Sequence, residues 1–316
     1  ITPPTDRVAF YNVENLFDTL DNPLTADDDF TPAGRQEWTS VRYQEKLNHI
    51  AEVMAGMEFP ALLGMAEVES IGTLQDLAKQ NRLAGYRYEA ILQESPDFRG
   101  IDVGLLYEES VFQPLYINTL TINFPPEIIK DYTTRDILHV AGLYRGLDTL
   151  HIFVNHWPSR RGGQEESEPR RVYVAEQLRA AVDKLFAQNR DANIVIMGDF
   201  NDEPSNRSIQ DVLGARAQNN TKSMTGLYNA FANRSGDMPG SYNYRGDWNM
   251  LDQIIVSKNV EIANPTVYRK GEMIFDHPRY GEMPNRTYGG SNYYGAFSDH
   301  FSIYVDLLLQ YSLQVP

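Results

Sequence analysis

The sequence predicts an α+β fold in which two β-sheets pack into a sandwich flanked by helices. Segments with strand character outnumber helical segments in both halves of the chain, and helices are inserted between them. Several strands follow one another directly, which is typical of antiparallel meanders. No linker, repeat or low-complexity tract divides the 316 residues, so we expect one domain over residues 1–316.

The predicted elements follow in chain order. The first core strand covers residues 8–13, which include β-branched and aromatic side chains. Helices are expected over residues 43–57 and 171–188, because apolar residues recur there on one helical face. A long loop is expected at residues 281–295, which are rich in Gly, Asn and Tyr. The other predicted strands are 61–68, 86–93, 102–107, 115–122, 137–144, 150–155, 193–197, 252–257 and 300–309.

The composition excludes several classes of protein. Lys and Arg total 28 and Asp and Glu total 43, so the formal charge of −15 argues against a surface that coats polyanions without sequence preference. The absence of cysteine excludes disulfides, thiolate metal sites, iron–sulfur clusters and cysteine nucleophiles. No apolar segment approaches the ~20 residues that span a bilayer. The start at Ile1 fits a product trimmed of a targeting segment, so export to the periplasm or the extracellular space is an expectation.

Eight polar residues lie within or at the ends of apolar segments, where turn propensity does not explain them. A buried charge or amide is costly unless it is paired or bound to a metal. We therefore expect each of these residues to have a partner or a chemical role. They are Asn12, Glu67, Asn155, His156, Asp199, Asn201, Asp299 and His300.

Three places along the chain offer recognisable chemistry, each with a simpler alternative. Glu67 ends an apolar strand and suits a hard divalent cation, although a helix N-cap or a surface carboxylate explains it as well. Asp199 and Asn201 are two residues apart and would share one face and one substrate, unless they form an ordinary Asx turn. Asp252 could orient His300 as in a histidine–aspartate dyad, whereas a polar strand edge is the commoner explanation.

Arg160 and Arg161 stand beside a glycine pair in a loop. Guanidinium groups suit bidentate phosphate binding, and glycines let a ligand approach the backbone, so both arginines are candidate substrate contacts. The alternative is a solvated loop with ion pairs to Glu165, Glu166 and Glu168. The sequence lacks a Gly-x-Ser-x-Gly elbow, a phosphate-binding loop and a His-Glu-x-x-His zinc helix.

Six short segments occur in order along the chain: Phe10-Tyr11-Asn12-Val13-Glu14, Gly64-Met65-Ala66-Glu67-Val68, Val154-Asn155-His156, Gly198-Asp199-Phe200-Asn201, Leu251-Asp252-Gln253 and Ser298-Asp299-His300. Together they resemble the endonuclease/exonuclease/phosphatase superfamily, which includes pancreatic DNase, abasic-site endonucleases, inositol polyphosphate 5-phosphatases and bacterial sphingomyelinases. The resemblance covers nearly the whole chain. It implies a DNase-like four-layer α/β/β/α sandwich of two mainly antiparallel sheets and a metal-dependent phosphoester hydrolase.

The resemblance also implies roles for individual residues. Glu67 would bind Mg²⁺, or Mn²⁺, and the residues around the same ion, directly or through water, would be Asn12, Glu14 and Asp299. Asp199 would orient or deprotonate the attacking water, and Asn201 would position the water and the phosphate. His300, paired with Asp252, would bind the scissile phosphate or act as a base, and both roles stay open.

His156 matches a histidine of the DNase, phosphatase and sphingomyelinase branches. Abasic-site endonucleases have a tyrosine at this position, which disfavours abasic-site repair. Asp102 stands where an acidic partner for His156 would be convenient, and Arg160 would hold nonbridging phosphate oxygens.

The implied activity is that of a phosphodiesterase or nuclease in which metal-activated water attacks in line. A phosphomonoesterase acting on a small polyol or lipid-derived phosphate is the alternative, because the charge of −15 disfavours long DNA. A binding module without catalysis is disfavoured, since every catalytic position of the motifs is filled. The substrate is expected to be a nucleic acid or a small or lipid phosphate, chosen by the loops at 159–169 and 273–296, and the oligomeric state stays open.

Overall fold

The computed structural model describes residues 5–217, 226–233 and 239–308, which contain two six-stranded sheets. The helices are α1 (Ser40–Gly56), α2 (Ile71–Ala78) and α3 (Gln164–Gln188), with 3-10 turns at Asp28–Phe30, Asn81–Leu83 and Gly271–Met273 and a π-helix at Ser208–Leu213. The strands are β1 (Thr5–Leu16), β2 (Leu62–Val68), β3 (Tyr88–Leu92), β4 (Asp102–Glu108), β5 (Phe112–Leu120), β6 (Ile137–Tyr144), β7 (Asp148–His156), β8 (Asn193–Asp199), β9 (Leu227–Asn229), β10 (Tyr242–Tyr244), β11 (Asp247–Asn249), β12 (Asp252–Ser257), β13 (Ile262–Tyr268), β14 (Ile274–His277), β15 (Gly281–Pro284), β16 (Tyr288–Gly289), β17 (Asn292–Tyr293) and β18 (Ser302–Leu308).

The first sheet has the strand order β13-β18-β1-β2-β4-β3, and the second has the order β5-β6-β7-β8-β12-β9. Among the described strands, only β1 with β2 and β7 with β8 are parallel neighbours. Three two-stranded hairpins, β10-β11, β14-β15 and β16-β17, lie outside the two sheets. The prediction of two mainly antiparallel sheets is therefore confirmed.

Buried apolar residues form three layers. The inner faces of the two sheets share one cluster, to which Phe10 and Leu105 come from the first sheet and Ile152 and Val195 from the second. Alternate residues of β1 point the other way and pack against α1 and α2. The third cluster joins the outer face of the second sheet to α3 and the π-helix. The layers are therefore helix, sheet, sheet and helix, as the resemblance implies.

The two sheets approach closely at Gly64 of β2. A Cβ atom at this position would lie 2.4 Å from the sulfur of Met197 in β8. Protein interiors have little free volume, so a larger residue at this position would push the sheets apart. Gly64 and Met197 precede Glu67 and Asp199 in their strands, so this contact lies on the two strands that carry these residues of the candidate site.

Several sequence-based bounds are wrong. Helix α2 was not predicted, because eight residues are too few for a clear periodicity. Helix α3 begins at Gln164 and passes through Pro169, where the sequence indicated a loop. The buried guanidinium of Arg171 holds this first turn by donating to the carbonyl of Gln164 and the hydroxyl of Ser167.

Residues 281–295 contain β15, β16 and β17 in place of the predicted continuous loop. The last strand begins at Ser302, two residues later than predicted, and residue 309 lies outside the described residues. No helix in the described part of the chain is long and apolar enough to cross a bilayer.

Candidate active site

Three adjacent strands of the second sheet bring site residues into one row. Strands β7 and β8 are parallel, so their carboxyl ends meet at one edge, where the antiparallel β12 begins. In this register His156 lies opposite Asp199, and Asp199 lies opposite Asp252. All three side chains are buried. The register of the sheet therefore groups three of the residues proposed from the sequence.

The first sheet places further residues across from this row. Asn12 of β1 donates from Nδ2 to Oδ2 of Asp199 at 3.1 Å. Glu67, near the end of β2, has its Oε1 atom 4.0 Å from Nε2 of His156. The hydroxyl of Ser298 donates to the carbonyl of Asn12 at 2.7 Å and so anchors the segment that leads into β18. Both sheets therefore contribute to one site.

The backbone is irregular where β1 and β2 enter the site. The register of β1 with β2 shifts after Asn12, and that of β2 with β4 shifts at Glu67. Glu14, Glu67 and Asn201 have left-handed φ angles of 53°, 64° and 50°. Such a conformation costs about 1–3 kcal/mol for a residue other than glycine, and bulges re-aim side chains. Backbone strain is thus present at three of the residues singled out from the sequence.

His300 is held between two carboxylates. Its Nδ1 atom lies 2.7 Å from Oδ2 of Asp252, and its Nε2 atom lies 3.8 Å from Oδ2 of Asp199. Burial disfavours the imidazolium, yet the charges of Asp252 and Asp199 and the hydrogen bond to Asp252 raise the pKa of His300 well above its usual value. The ring of Tyr242 packs on the imidazole with centroids 4.8 Å apart. His300 is therefore a positively charged donor at neutral pH.

Asp199 stands at the centre of the row. Burial raises the pKa of this carboxyl to about 6, although His300 and hydrogen bonds from the Asn201 backbone and the Asn12 amide favour the charged form. The Asn201 amide nitrogen donates to Oδ1 at 2.9 Å. A carboxylate that titrates this close to neutrality suits the task of accepting a proton from water.

His156 has the opposite electrostatic environment. Burial, followed by the charges of Arg135 and Arg99, lowers the pKa of His156 well below its usual value. Its Nε2 atom lies 3.6 Å from Oδ2 of Asp199. Its Nδ1 atom is buried and has no hydrogen-bond partner among the described residues. His156 is therefore a neutral imidazole.

The expected direct pairing of Asp102 with His156 is not formed among the described residues. Asp102 accepts hydrogen bonds on Oδ1 from the backbone and the hydroxyl of Ser95, while its Oδ2 atom is buried without a partner there. Burial raises the pKa of Asp102 to about 8. Asp102 sits at the start of β4, and both hydrogen bonds to its Oδ1 atom come from Ser95 in the preceding loop.

Glu14 is tied to the loop at 273–296, which the sequence indicated as a loop that chooses the substrate. Its Oε2 atom accepts from the backbone of Thr287 at 2.6 Å, and its Oε1 atom accepts from Nε of Arg286 at 3.1 Å. Arg286 also donates from Nη2 to Oδ2 of Asp299 at 3.1 Å. Burial and the charge of Asp299 raise the pKa of Glu14 to about 7. The guanidinium thus bridges two of the four residues expected around the metal.

Arg160 acts as a brace for Asn201. Its Nε atom donates to the Asn201 carbonyl at 2.7 Å, and its Nη1 atom donates to Oδ1 of Asn249 at 2.9 Å. The Asn201 amide in turn donates to the carbonyl of Trp157 at 3.1 Å. In the described part of the chain, neither Arg160 nor Arg161 forms the alternative ion pairs with the glutamates of the first turns of α3.

Two sets of residues could hold a metal. Asp199, Asp252 and His300 have possible ligand atoms within 4.8 Å of one another, but Nδ1 of His300 is engaged by Asp252 and the ring is charged. The other set is Asn12, Glu67 and Asp299, which line one cleft and offer amide and carboxylate oxygens. Hard divalent cations prefer such oxygen ligands, so the second set fits the expected metal better.

The site opens into a cleft with a volume of about 940 Å³. Nine of the residues proposed from the sequence line it: Asn12, Glu67, His156, Arg160, Arg161, Asp199, Asn201, Asp299 and His300. Among the described residues, three others proposed from the sequence do not line the cleft: Glu14, Asp102 and Asp252. Aromatic side chains on the wall include Phe98, Tyr132 and Tyr244.

The model of the Endonuclease/Exonuclease/phosphatase family matches residues 7–308 of the chain. The chain belongs to this family. It is a metal-dependent phosphoester hydrolase with a DNase-like fold. A search of curated proteins finds no match.

Solved structures with the same fold come from several members of the family. A mannosyl-6-phosphatase of Bacteroides thetaiotaomicron is 18% identical, with a TM-score of 0.60, and the match covers 96% of this chain and 100% of that one. The catalytic domain of human nocturnin is 18% identical, with a TM-score of 0.59 and coverage of 97% and 95%. A humanized D. rerio TDP2 is 14% identical, with a TM-score of 0.59 and coverage of 96% and 98%.

Sequence reasoning missed several charged residues around this site, and four of them form buried or bridging contacts. Arg286 bridges Glu14 and Asp299. Lys46 is buried and donates to the hydroxyl of Thr287 and the carbonyl of Phe297, both at 2.6 Å. The other two are Arg135 and Asp97, which form a buried ion pair at 3.2 Å. The one available signal was that Arg286 falls within the loop expected to choose the substrate, while Lys46 stands in a predicted helix without any sign of a polar role.

Proposed function

We propose that the protein is a Mg²⁺-dependent phosphodiesterase of the nuclease type. The observation that supports this most directly is the position of Oδ2 of Asp199, 3.6 Å from Nε2 of His156 and 3.8 Å from Nε2 of His300, at the wall of an open cleft. A proton acceptor and two imidazoles around one point suit in-line attack of water on a phosphorus, because the acceptor can take a proton from the water and the imidazoles can stabilise charge on the phosphate.

The roles of the side chains follow from their charge states. Asp199 orients the attacking water and accepts its proton, because its pKa is about 6. His300, kept charged by Asp252, donates to the phosphate oxygens, whose negative charge grows in the transition state. His156 is neutral and donates a hydrogen bond to the phosphate from Nε2. Asn201, fixed by Arg160, positions the phosphate.

The residues that would hold Mg²⁺, or Mn²⁺, are Asn12, Glu67 and Asp299. The bound metal would neutralise the negative charge that develops on the phosphate. Support for this metal is the oxygen chemistry of the three donors. Glu14 and Arg286 hold Asp299 and its surroundings in place.

A second candidate function is a phosphomonoesterase acting on a small polyol or lipid-derived phosphate. The similarity to a mannosyl-6-phosphatase and the formal charge of −15, which disfavours long DNA, support this alternative.

The deciding experiment is nicking of supercoiled plasmid in Mg²⁺ and then in Mn²⁺, together with release of phosphate from small monoesters. Wild-type protein and His300→Ala are purified in parallel, and circular dichroism checks that both are folded. We expect nicking by the wild type that EDTA abolishes and that His300→Ala lacks. Hydrolysis of monoesters without nicking would support the second function, and activity that survives in His300→Ala would contradict the mechanism.

A further inference from the structure

Arginines are concentrated at the cleft of an acidic protein. Although the formal charge of the chain is −15, five arginines line this one cleft: Arg99, Arg135, Arg160, Arg161 and Arg170. Two of these arginines are engaged in hydrogen bonds that hold other residues of the site in place. Arg160 braces Asn201, and Arg135 is buried with its Nη1 atom on Asp97 and its Nη2 atom on the carbonyl of Trp157.

The other three arginines keep unused donors. In the described part of the chain, the Arg161 side chain makes no hydrogen bond or ion pair, even though three glutamates follow it in the first turns of α3. Arg99 uses only its Nε atom, on Asp97 at 3.3 Å. Arg170 uses one donor, at 3.4 Å from the carbonyl of Arg161, and its guanidinium lies over the ring of Tyr132 at 5.2 Å. These three residues are called the arginine wall below.

Among the described residues, Arg99 is the one member of this wall that forms an ion pair, to Asp97. Asp97 is shared between Arg99 and Arg135, so one carboxylate faces two guanidinium groups. Four other acidic residues line the cleft: Glu67, Asp199 and Asp299 belong to the proposed metal and water side, and Asp247 forms no ion pair with the arginines among the described residues. After burial, the charges of Arg135 and Arg99 also lower the pKa of His156, so both guanidinium groups act on this side of the site.

We propose that the arginine wall binds a second phosphate group of the substrate, apart from the phosphate that is hydrolysed between His156 and His300. This rests on the proposed function, because it assigns the substrate class of the same site. Guanidinium groups bind phosphate through paired hydrogen bonds, and Arg99, Arg161 and Arg170 have the donors to do so. A volume of about 940 Å³ accommodates a substrate of dinucleotide size. The second phosphate can come from the next nucleotide of a strand or from a small bisphosphate.

The test compares substrates that differ by one phosphate. The diester arm uses the dinucleotide TpT and its 5′-phosphorylated form pTpT, and the monoester arm uses glucose 6-phosphate and glucose 1,6-bisphosphate. The quantity measured is the ratio of kcat/KM within each pair. We expect a ratio of at least about 10 in one arm, since a hydrogen bond to a charged group contributes about 1.5–3 kcal/mol, and the arm that shows it identifies the source of the second phosphate.

The variants are Arg161→Ala and the double variant Arg99→Ala/Arg161→Ala. Arg87→Ala is the matched control, because Arg87 is exposed and pairs with Glu109 outside the cleft. We expect the ratio to fall toward 1 in the wall variants, chiefly through KM, and to stay unchanged in the control. Equal kcat/KM within both pairs for the wild type, or an unchanged ratio in the double variant, would overturn the proposal.

Binding separates failure of this proposal from failure of the proposed function. Calorimetric titration of pTpT and TpT into the wild type and Arg99→Ala/Arg161→Ala in EDTA needs no turnover. If neither arm shows hydrolysis but pTpT binds at least about 10-fold more tightly than TpT, and only to the wild type, the function is wrong and the phosphate site stands. Equal binding of the two dinucleotides would overturn the site.

Discussion

Two histidines of the same site have opposite charge states although both are buried. His300 lies between Asp252 and Asp199 and is charged, whereas His156 lies on the side of Arg135 and is neutral. Burial acts on both in the same direction, since it disfavours an imidazolium. The neighbouring charges therefore decide the difference, and each neighbour comes from another strand or loop.

The opposite pKa shifts of the two histidines divide the cleft into an acidic part and a basic part. The acidic half, around Asp199 and Asp299, suits a metal and a charged imidazole, and the basic half, around Arg99 and Arg135, suits an anion. A phosphate between the two histidines would receive a charged donor on one side and a neutral donor on the other. Substitutions that remove the neighbours of either histidine test this division.

The largest effect is expected from Asp199→Asn, because Asp199 lies within 4 Å of both histidines. The substitution keeps the shape of the side chain and removes the proton acceptor. We expect kcat on bis-p-nitrophenyl phosphate to fall about 10³-fold. Asp191→Asn is the matched control, since Asp191 is exposed and pairs with Lys258 at the surface. A loss smaller than 10-fold in a folded variant would contradict the assignment of Asp199.

Asp252→Asn should produce the next largest loss, about 10²-fold in kcat. Without this carboxylate the pKa of His300 falls, so His300 loses its proton at a lower pH. The alkaline limb of the pH–rate profile should therefore move to lower pH. Nitrogen NMR of the imidazole, followed against pH, measures the same shift directly. An unchanged profile would show that Asp252 does not set the charge of His300.

Arg135→Lys and Arg135→Gln should change the other half of the cleft, with a loss of about 10-fold in kcat for Arg135→Gln. Loss of the cation raises the pKa of His156, so His156 takes up a proton at a higher pH than in the wild type. NMR titration of His156 checks the direction, and Arg135→Lys, which keeps the charge beside Asp97, should shift it less. Equal titration of His156 in all three proteins would contradict the comparison.

The last prediction concerns a second pair of histidines, which forms no ion pair among the described residues. His139 on β6 and His151 on β7 have ring nitrogens 3.1 Å apart, one donating to the other. Burial and the neighbouring imidazole lower the pKa of His139 to about 4. The unfolded chain, with a histidine pKa near 6.5, therefore binds protons first as the pH falls.

This pair should make the protein less stable in acid. The contribution of neutral His139 to the free energy of unfolding is complete above about pH 6.5 and is lost as the pH falls toward 4. Between pH 7 and pH 5 the free energy of unfolding falls by roughly 2 kcal/mol from this residue. Urea unfolding at both pH values measures it, and His139→Gln/His151→Gln is the comparison. The double variant should lose less stability on acidification than the wild type does, and an equal loss in both would contradict the prediction.

Much of this arrangement is visible in the sequence because strand ends are local features. Polar residues such as Asn12, Glu67 and Asp199 stand out against apolar segments, and their order along the chain matches the family motifs. Most strands inside the two sheets were predicted to within a few residues, since alternation and bounding turns are local too, but the edge strands β9 and β13 and the short hairpin strands were not predicted.

The charged residues that surround the site residues cannot be identified from the sequence in this way. Arg286 reaches Glu14 across 272 positions of the chain, and Arg135 reaches Asp97 through a loop contact. No periodicity or spacing reports such contacts, because tertiary packing alone creates them. For the same reason, the sequence indicates Arg160 only as a substrate contact. Its hydrogen bond to the carbonyl of Asn201 could not be predicted, because it depends on tertiary packing.

The row of His156, Asp199 and Asp252 occupies three hydrogen-bonded strands in the interior of the second sheet, with β6 on one side and β9 on the other. Backbone hydrogen bonds between these strands fix the geometry of the row. Amide hydrogens at these strand ends should therefore exchange with solvent only when the sheet itself opens. A deletion of one residue within β8 would move Asp199 out of the row and turn the apolar face of the strand toward the wrong layer. Loops at the rim carry no such constraint, and they can diverge between relatives while the hydrolytic chemistry stays fixed.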